Sequence, residues 1–138
     1  MSNVRQLRDR QPDNEKITIN LGYVDLGRID LLVQEGFYAN RSDLIRTAVR
    51  NQLDSHTEVV RNSLERHTME LGLRDYSVAD LEAIRDAGEI LHVKVVGLAR
   101  IAADVTPELA FQTIGSINVL GALQASADVK KALADRIT

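Results

Sequence analysis

The sequence predicts an α+β chain: a short strand, helix, helix unit that needs a second copy of itself, then a helical connector, then a small α/β module. Three observations carry this. Apolar and polar residues alternate from Lys16 to Leu21 and give way to two helical periods ending at Leu53. A helical seam then continues without Pro or Gly as far as Gly72. From Glu89 onward β-branched alternation takes over, and a segment recurs at a period of 24 residues. The expected parts are a basic arm at 1–14, the strand and two helices at 15–55, the connector at 56–88 and a β/α oligomerisation module at 89–138.

In the first unit, Ile17, Ile19 and Leu21 alternate with Lys16, Thr18 and Asn20, the period of a strand with one buried and one wet face. Gly22 ends it. Leu26, Ile29, Leu32 and Val33 follow at helical spacing up to Gly36, a natural C-terminal stop. Phe37, Tyr38 and Ala39 make the turn. Asn40 is placed to cap the second helix with Asp43 at N3, and Leu44, Ile45, Ala48, Val49 and Leu53 form that helix's apolar side. About forty residues bury too little surface to be stable alone, and with no cysteine to staple them an obligate homodimer is implied.

The ordered set ITINL, a helix ending in EGFY, and the turn and helix start ANRSDLIRTAV resembles the ribbon-helix-helix family of DNA-binding proteins over residues 15–53. The resemblance implies that two chains pair their strands into an antiparallel ribbon that enters the major groove of double-stranded DNA, while four helices form the dimer core. It places Lys16, Thr18 and Asn20 against base edges, and Asn40, Arg41 and Ser42 against a phosphate. The chemistry agrees. Lys matches the guanine acceptors N7 and O6, and Asn matches the donor and acceptor pair of adenine. A helix N-terminus favours an anion through its unpaired N–H groups and dipole.

The charge balance needs an explanation, since the chain carries a formal net charge of −3 and nucleic-acid binders are usually basic. Residues 1–50 hold eight Lys and Arg against seven Asp and Glu, so the acidic excess lies later in the chain. Arg5, Arg8 and Arg10, ahead of Pro12, are placed to follow a phosphate backbone or minor groove as a basic arm does. The chain has no apolar run of about 18 residues and no apolar segment behind its N-terminal arginines, so no membrane partner is expected and a cytoplasmic location is.

In the connector, His56, Val60, Leu64, His67 and Leu71 extend the seam, with the helix either running long or breaking near Ser55. His56 and His67 share a face but lie roughly 16 Å apart along it, too far to share a metal. Ser77 and Asp80 cap a further short helix, SVADLEAIRDAG. Beyond Glu89, VKVVGLARIAADVTPELA aligns with INVLGALQASADVKKALA, matching Val95 with Val119, Gly97 with Gly121, Ala103, Asp104 and Val105 with Ala127, Asp128 and Val129, and Leu109 and Ala110 with Leu133 and Ala134. The pattern reads as strand, glycine, strand, helix used twice, with Thr106 and Pro107 opening the first helix. Two units are fewer than a solenoid needs, so either they pack together as a small α/β module or, as the favoured reading has it, they complete themselves against other chains, giving a tetramer or larger assembly.

No catalytic set, cofactor site or metal site is indicated. Gly97 and Gly121 are single glycines in strand patterns, which mark a bulge or close backbone approach rather than a phosphate cradle. The layout is similar to that of the nickel-responsive regulators, but His92 is the sole histidine of the module and there is no cysteine. The expected function is a sequence-specific DNA-binding regulator that represses by occupying an operator. The alternatives are an antitoxin that wraps a toxin partner, less favoured because the C-terminal half is too apolar and regular for a disordered tail, and a DNA-organising or partition protein.

Overall fold

The computed structural model describes residues 14–138, which divide into two compact units, Asn14–Ser63 and Leu64–Thr138. The arm arginines Arg5, Arg8 and Arg10 lie outside the described residues.

In the first unit, the strand expected from Lys16 to Leu21 is not formed in the single chain: residues 15–22 carry no regular secondary structure. Helix α1 runs Tyr23–Gln34 and helix α2 Arg41–Asp54. Gly36 at φ 88° ends α1, with the Gly36 N–H donating to the Val33 carbonyl and that of Phe37 to Leu32, a Schellman closure. Asn40 caps α2, its side-chain oxygen accepting from the Asp43 N–H at 2.8 Å, and the Asp43 carboxylate accepts from the Ala39 N–H at 2.9 Å. The seam breaks at Ser55 and His56 and resumes as helix α3, Thr57–His67. Thr68, at φ 54°, turns the chain out of that helix.

The second unit is a three-stranded parallel sheet in the order β1, β2, β3, with β1 Glu70–Tyr76, β2 Leu91–Ile101 and β3 Ile114–Gln124. Helix α4 (Val78–Asp86) joins β1 to β2, α5 (Pro107–Thr113) joins β2 to β3, and α6 (Ala127–Ala132) follows β3 before a short 3-10 turn at Ala134–Arg136. Each α-helix opens on a hydroxyl cap: Ser77, Thr106 and Ser126 accept from the N–H of Asp80, Leu109 and Val129 respectively. Val93, Val95, Ala99 and Ile101 point from one face of β2 into a core with Leu81, Leu109, Ala110, Val129 and Leu133 from the helices. Arg136 closes the far end by donating to the carbonyls of Phe111 and Ile114 while lying 3.9 Å over the Phe111 ring.

Three expectations are corrected here. Residues 70–76, read as part of a helical connector, are a strand paired with β2; its side chains are exposed up to Tyr76, so no buried alternation announced it. Gly97 and Gly121 do not separate two strands each but sit inside continuous 11-residue strands, at positive φ, where neighbouring backbones come close. The module also closes a core within one chain, because β1 and α4 supply the additional layer that two units lacked.

Candidate nucleic-acid interface

None of residues 14–63 is buried, although Ile17, Ile19, Leu31, Val49 and Leu53 are all more than half exposed. At roughly 25 cal/mol per Å² of apolar surface removed from water, such side chains are a driving force waiting for a partner. Ile17 and Ile19 line a cleft with Ile45 and Val49 of α2, which places the apolar face of the strand segment on the helices. The alternate residues Lys16, Thr18 and Asn20 are exposed.

The N-terminus of α2 is built differently from the simplest expectation. Arg41 makes a two-pronged ion pair with Asp30 of α1, Nε to Oδ1 and Nη2 to Oδ2 both at 2.8 Å. The hydrogen bonds to Arg41, more than its Coulomb attraction, hold the Asp30 carboxyl below the usual carboxylate range, and the same contacts raise the Arg41 guanidinium. Arg41 thus ties the two helices together. The Asn40 side-chain oxygen is taken up by the cap, and Ser42 lies exposed beside it.

Two residues escaped the sequence reading. Arg46 and Arg50 line the same cleft as Lys16 and Ser42, and among the described residues neither forms an ion pair. The signal was available in the spacing: 42, 46 and 50 recur every four residues and share one helix face. Together with Lys16 they concentrate positive charge beside the strand segment despite the acidic chain.

The chain is 34% identical over 44 residues to the transcriptional regulator CdrS of Halobacterium salinarum, a match covering 32% of this chain and 80% of that protein. No solved structure matches. The family model of the Ribbon-Helix-Helix transcriptional regulator family matches residues 12–130, well beyond the first two helices and through the whole parallel sheet into α6. With the family model matching most of its length, this mixed α/β chain belongs to the Ribbon-Helix-Helix transcriptional regulator family.

Proposed function

We propose that the protein is a cytoplasmic homodimeric repressor that occupies an operator by inserting a two-stranded ribbon into the major groove. Lys16, Thr18 and Asn20 read base edges; Asn40, Arg41 and Ser42, at the start of α2, hold a phosphate; the C-terminal module drives assembly beyond the dimer. The observation that carries the dimer, and through it the ribbon, is the complete lack of buried residues in 14–63 beside exposed Ile17 and Ile19. Membership of a transcriptional regulator family supports DNA as the ligand.

The phosphate site works mainly through backbone. The first-turn N–H groups of α2 meet the anion, and Arg41 adds its charge by exchanging Asp30 for phosphate, an exchange open to it because both side chains are half exposed. Arm residues Arg5, Arg8 and Arg10 add sequence-independent contacts.

The test is binding of the full chain to a duplex selected from a random library, measured by fluorescence anisotropy. The variant carrying Ala at positions 16, 18 and 20 should lose selectivity while remaining dimeric, and Asn20→Ala alone should cost about 1 to 3 kcal/mol and relax one base position. Unchanged affinity and selectivity in the triple variant would remove the strand from base readout.

A further inference from the structure

Each strand of the parallel sheet holds a glycine at strongly positive φ: Gly72 at 129°, Gly97 at 136° and Gly121 at 118°. The register sets the three side by side. For two of them the reason is visible. A Cβ on Gly97 would lie 2.2 Å from the Gly72 carbonyl oxygen, and one on Gly121 would lie 2.1 Å from the Gly97 carbonyl oxygen. Gly97 and Gly121 therefore each admit the carbonyl of the strand before them. Gly72 adopts the same backbone shape on the outer edge of β1, yet a Cβ there meets nothing within 4 Å. The edge strand is shaped for a neighbour's carbonyl.

The opposite edge of the same sheet has that group. Glycine carbonyls run from β1 toward β2 and from β2 toward β3, so the equivalent carbonyl of Gly121 points outward from β3. We infer that β1 of a second copy of this chain adds in parallel to β3, with Gly72 beside Gly121, so that the modules stack head to tail. The inference rests on the reading of the module as an assembly device and specifies its surface.

Three further observations fit this occupant. The register that places Gly72 beside Gly121 starts with Glu70 beside Val119 and ends with Tyr76 beside Ala125. Ile137 bridges Ile117, and the Thr138 N–H donates to the Ile117 carbonyl at 2.9 Å, so residues 137 and 138 occupy the β3 edge at Ile117, and among the described residues no strand pairs with the stretch from Val119 that β1 would cover. On the sheet face away from the helices, Leu71 would lie beside Leu120, two side chains that are 67% and 61% exposed in the single chain. In the helix layer α4 packs on α5 and α5 on α6, so stacking brings α4 of one copy beside α6 of the other. Their exposed charges are opposite on balance: α4 carries Asp80, Glu82 and Asp86 with one Arg85, which pairs with Asp86, and α6 carries Lys130 and Lys131 with one Asp128. Such an interface is heterologous and open-ended, unlike the two-fold interface of the first unit.

Sedimentation of the full chain over a concentration series tests the inference, with a thermal melt of each variant to verify folding. Wild type should grow beyond two chains as concentration rises. Lys130→Glu with Lys131→Glu, and separately Glu82→Lys with Asp86→Lys, should each weaken that growth on the order of tenfold or more, leaving dimers. An equimolar mixture of the two variants should regain growth, because each disabled end meets its charge-reversed counterpart. Wild type that stays at two chains throughout would overturn both this inference and the assembly reading beneath it. Growth that ignores the charge reversals, or a mixture that remains dimeric, would overturn head-to-tail stacking alone and assign assembly to another face.

Discussion

The glycine column gives a graded stability test in which the structure supplies its own control. Alanine at Gly72 imposes only the strain of holding a residue with a Cβ at φ 129°, about 1 to 3 kcal/mol, since its methyl would enter open space. Alanine at Gly97 carries the same strain at φ 136° and also sets a methyl carbon 2.2 Å from the Gly72 carbonyl oxygen, well inside van der Waals contact. Relief requires β1 and β2 to part, which weakens their ladder and adds roughly another 1 to 3 kcal/mol as overpacking usually does. Gly121→Ala, with its clash at 2.1 Å against Gly97, should resemble Gly97→Ala. Against a total of about 5 to 15 kcal/mol for an ordinary domain, the Gly97 and Gly121 substitutions consume much of the module's stability and the Gly72 substitution a modest part. Urea unfolding at low protein concentration reads this out. Near-ultraviolet circular dichroism in a background carrying Tyr23→Phe and Tyr38→Phe leaves Tyr76, 9% exposed, as the one tyrosine and follows the sheet separately from the first unit. Equal losses at Gly72 and Gly97 would refute the close-approach argument, and no loss at Gly97 would refute the register.

Other perturbations follow from single contacts. Ile19→Asp puts a charge on a face that the dimer must bury, so the full chain should lose the two-fold interface and all operator binding, read by light scattering and anisotropy. Thr68→Gly relieves a β-branched residue held at φ 54° and should raise the unfolding free energy by about 1 kcal/mol in the same urea assay. The carboxyls of Asp30, hydrogen-bonded by Arg41, and Asp80, hydrogen-bonded by the Ser77 backbone, are both held below their ordinary range. Folded-state depression means that their contribution is complete above the unfolded carboxylate range and is lost as pH falls through the folded values, so an acid titration of Asp80→Asn, which still accepts from the Ser77 N–H but has no carboxyl to protonate, should show a shallower decline than wild type.

Much of the first unit was legible because its residues act through local rules. The Asn40 cap and the Gly36 stop need no distant partner to be recognised, whereas the alternation through Ile17, Ile19 and Leu21 forms no strand in the single chain. The Asp30 to Arg41 pair was not legible, because eleven residues and a turn separate its members. β1 was hidden for a different reason. ELGLRDY lies at a sheet edge, where charged side chains such as Glu70, Arg74 and Asp75 suit a wet surface and erase the apolar period. Its clue was spacing: Gly72 precedes Gly97 by 25 residues, and Ser77 follows Gly72 at the distance by which Ser126 follows Gly121. The second half of the repeat misleads in turn. Val105 and Val129 align in sequence and both are buried, but Val105 precedes α5 while Val129 lies inside α6, because the loop after β2 is longer than the loop after β3.

The symmetry of the module's contact decides between one operator and an extended array. A two-fold contact between modules saturates once each has found its mate, so a DNA footprint would reach a fixed length. A head-to-tail contact leaves an unlike end exposed after every addition. Each dimer bound to DNA then offers the next one a tethered docking site, raising its effective concentration at the adjacent stretch without any new base contact. Footprints on a duplex carrying one selected site should therefore lengthen in steps as protein concentration rises, with added protection less dependent on base sequence than the first. The charge-reversed pair Lys130→Glu and Lys131→Glu should protect the single site at unchanged length, since those residues lie on α6, far along the chain from the strand and α2 residues proposed to touch DNA. A wild-type footprint that stays at one site length while the protein in solution grows beyond two chains would refute spreading along DNA and leave the module's stacking without a role in site occupancy.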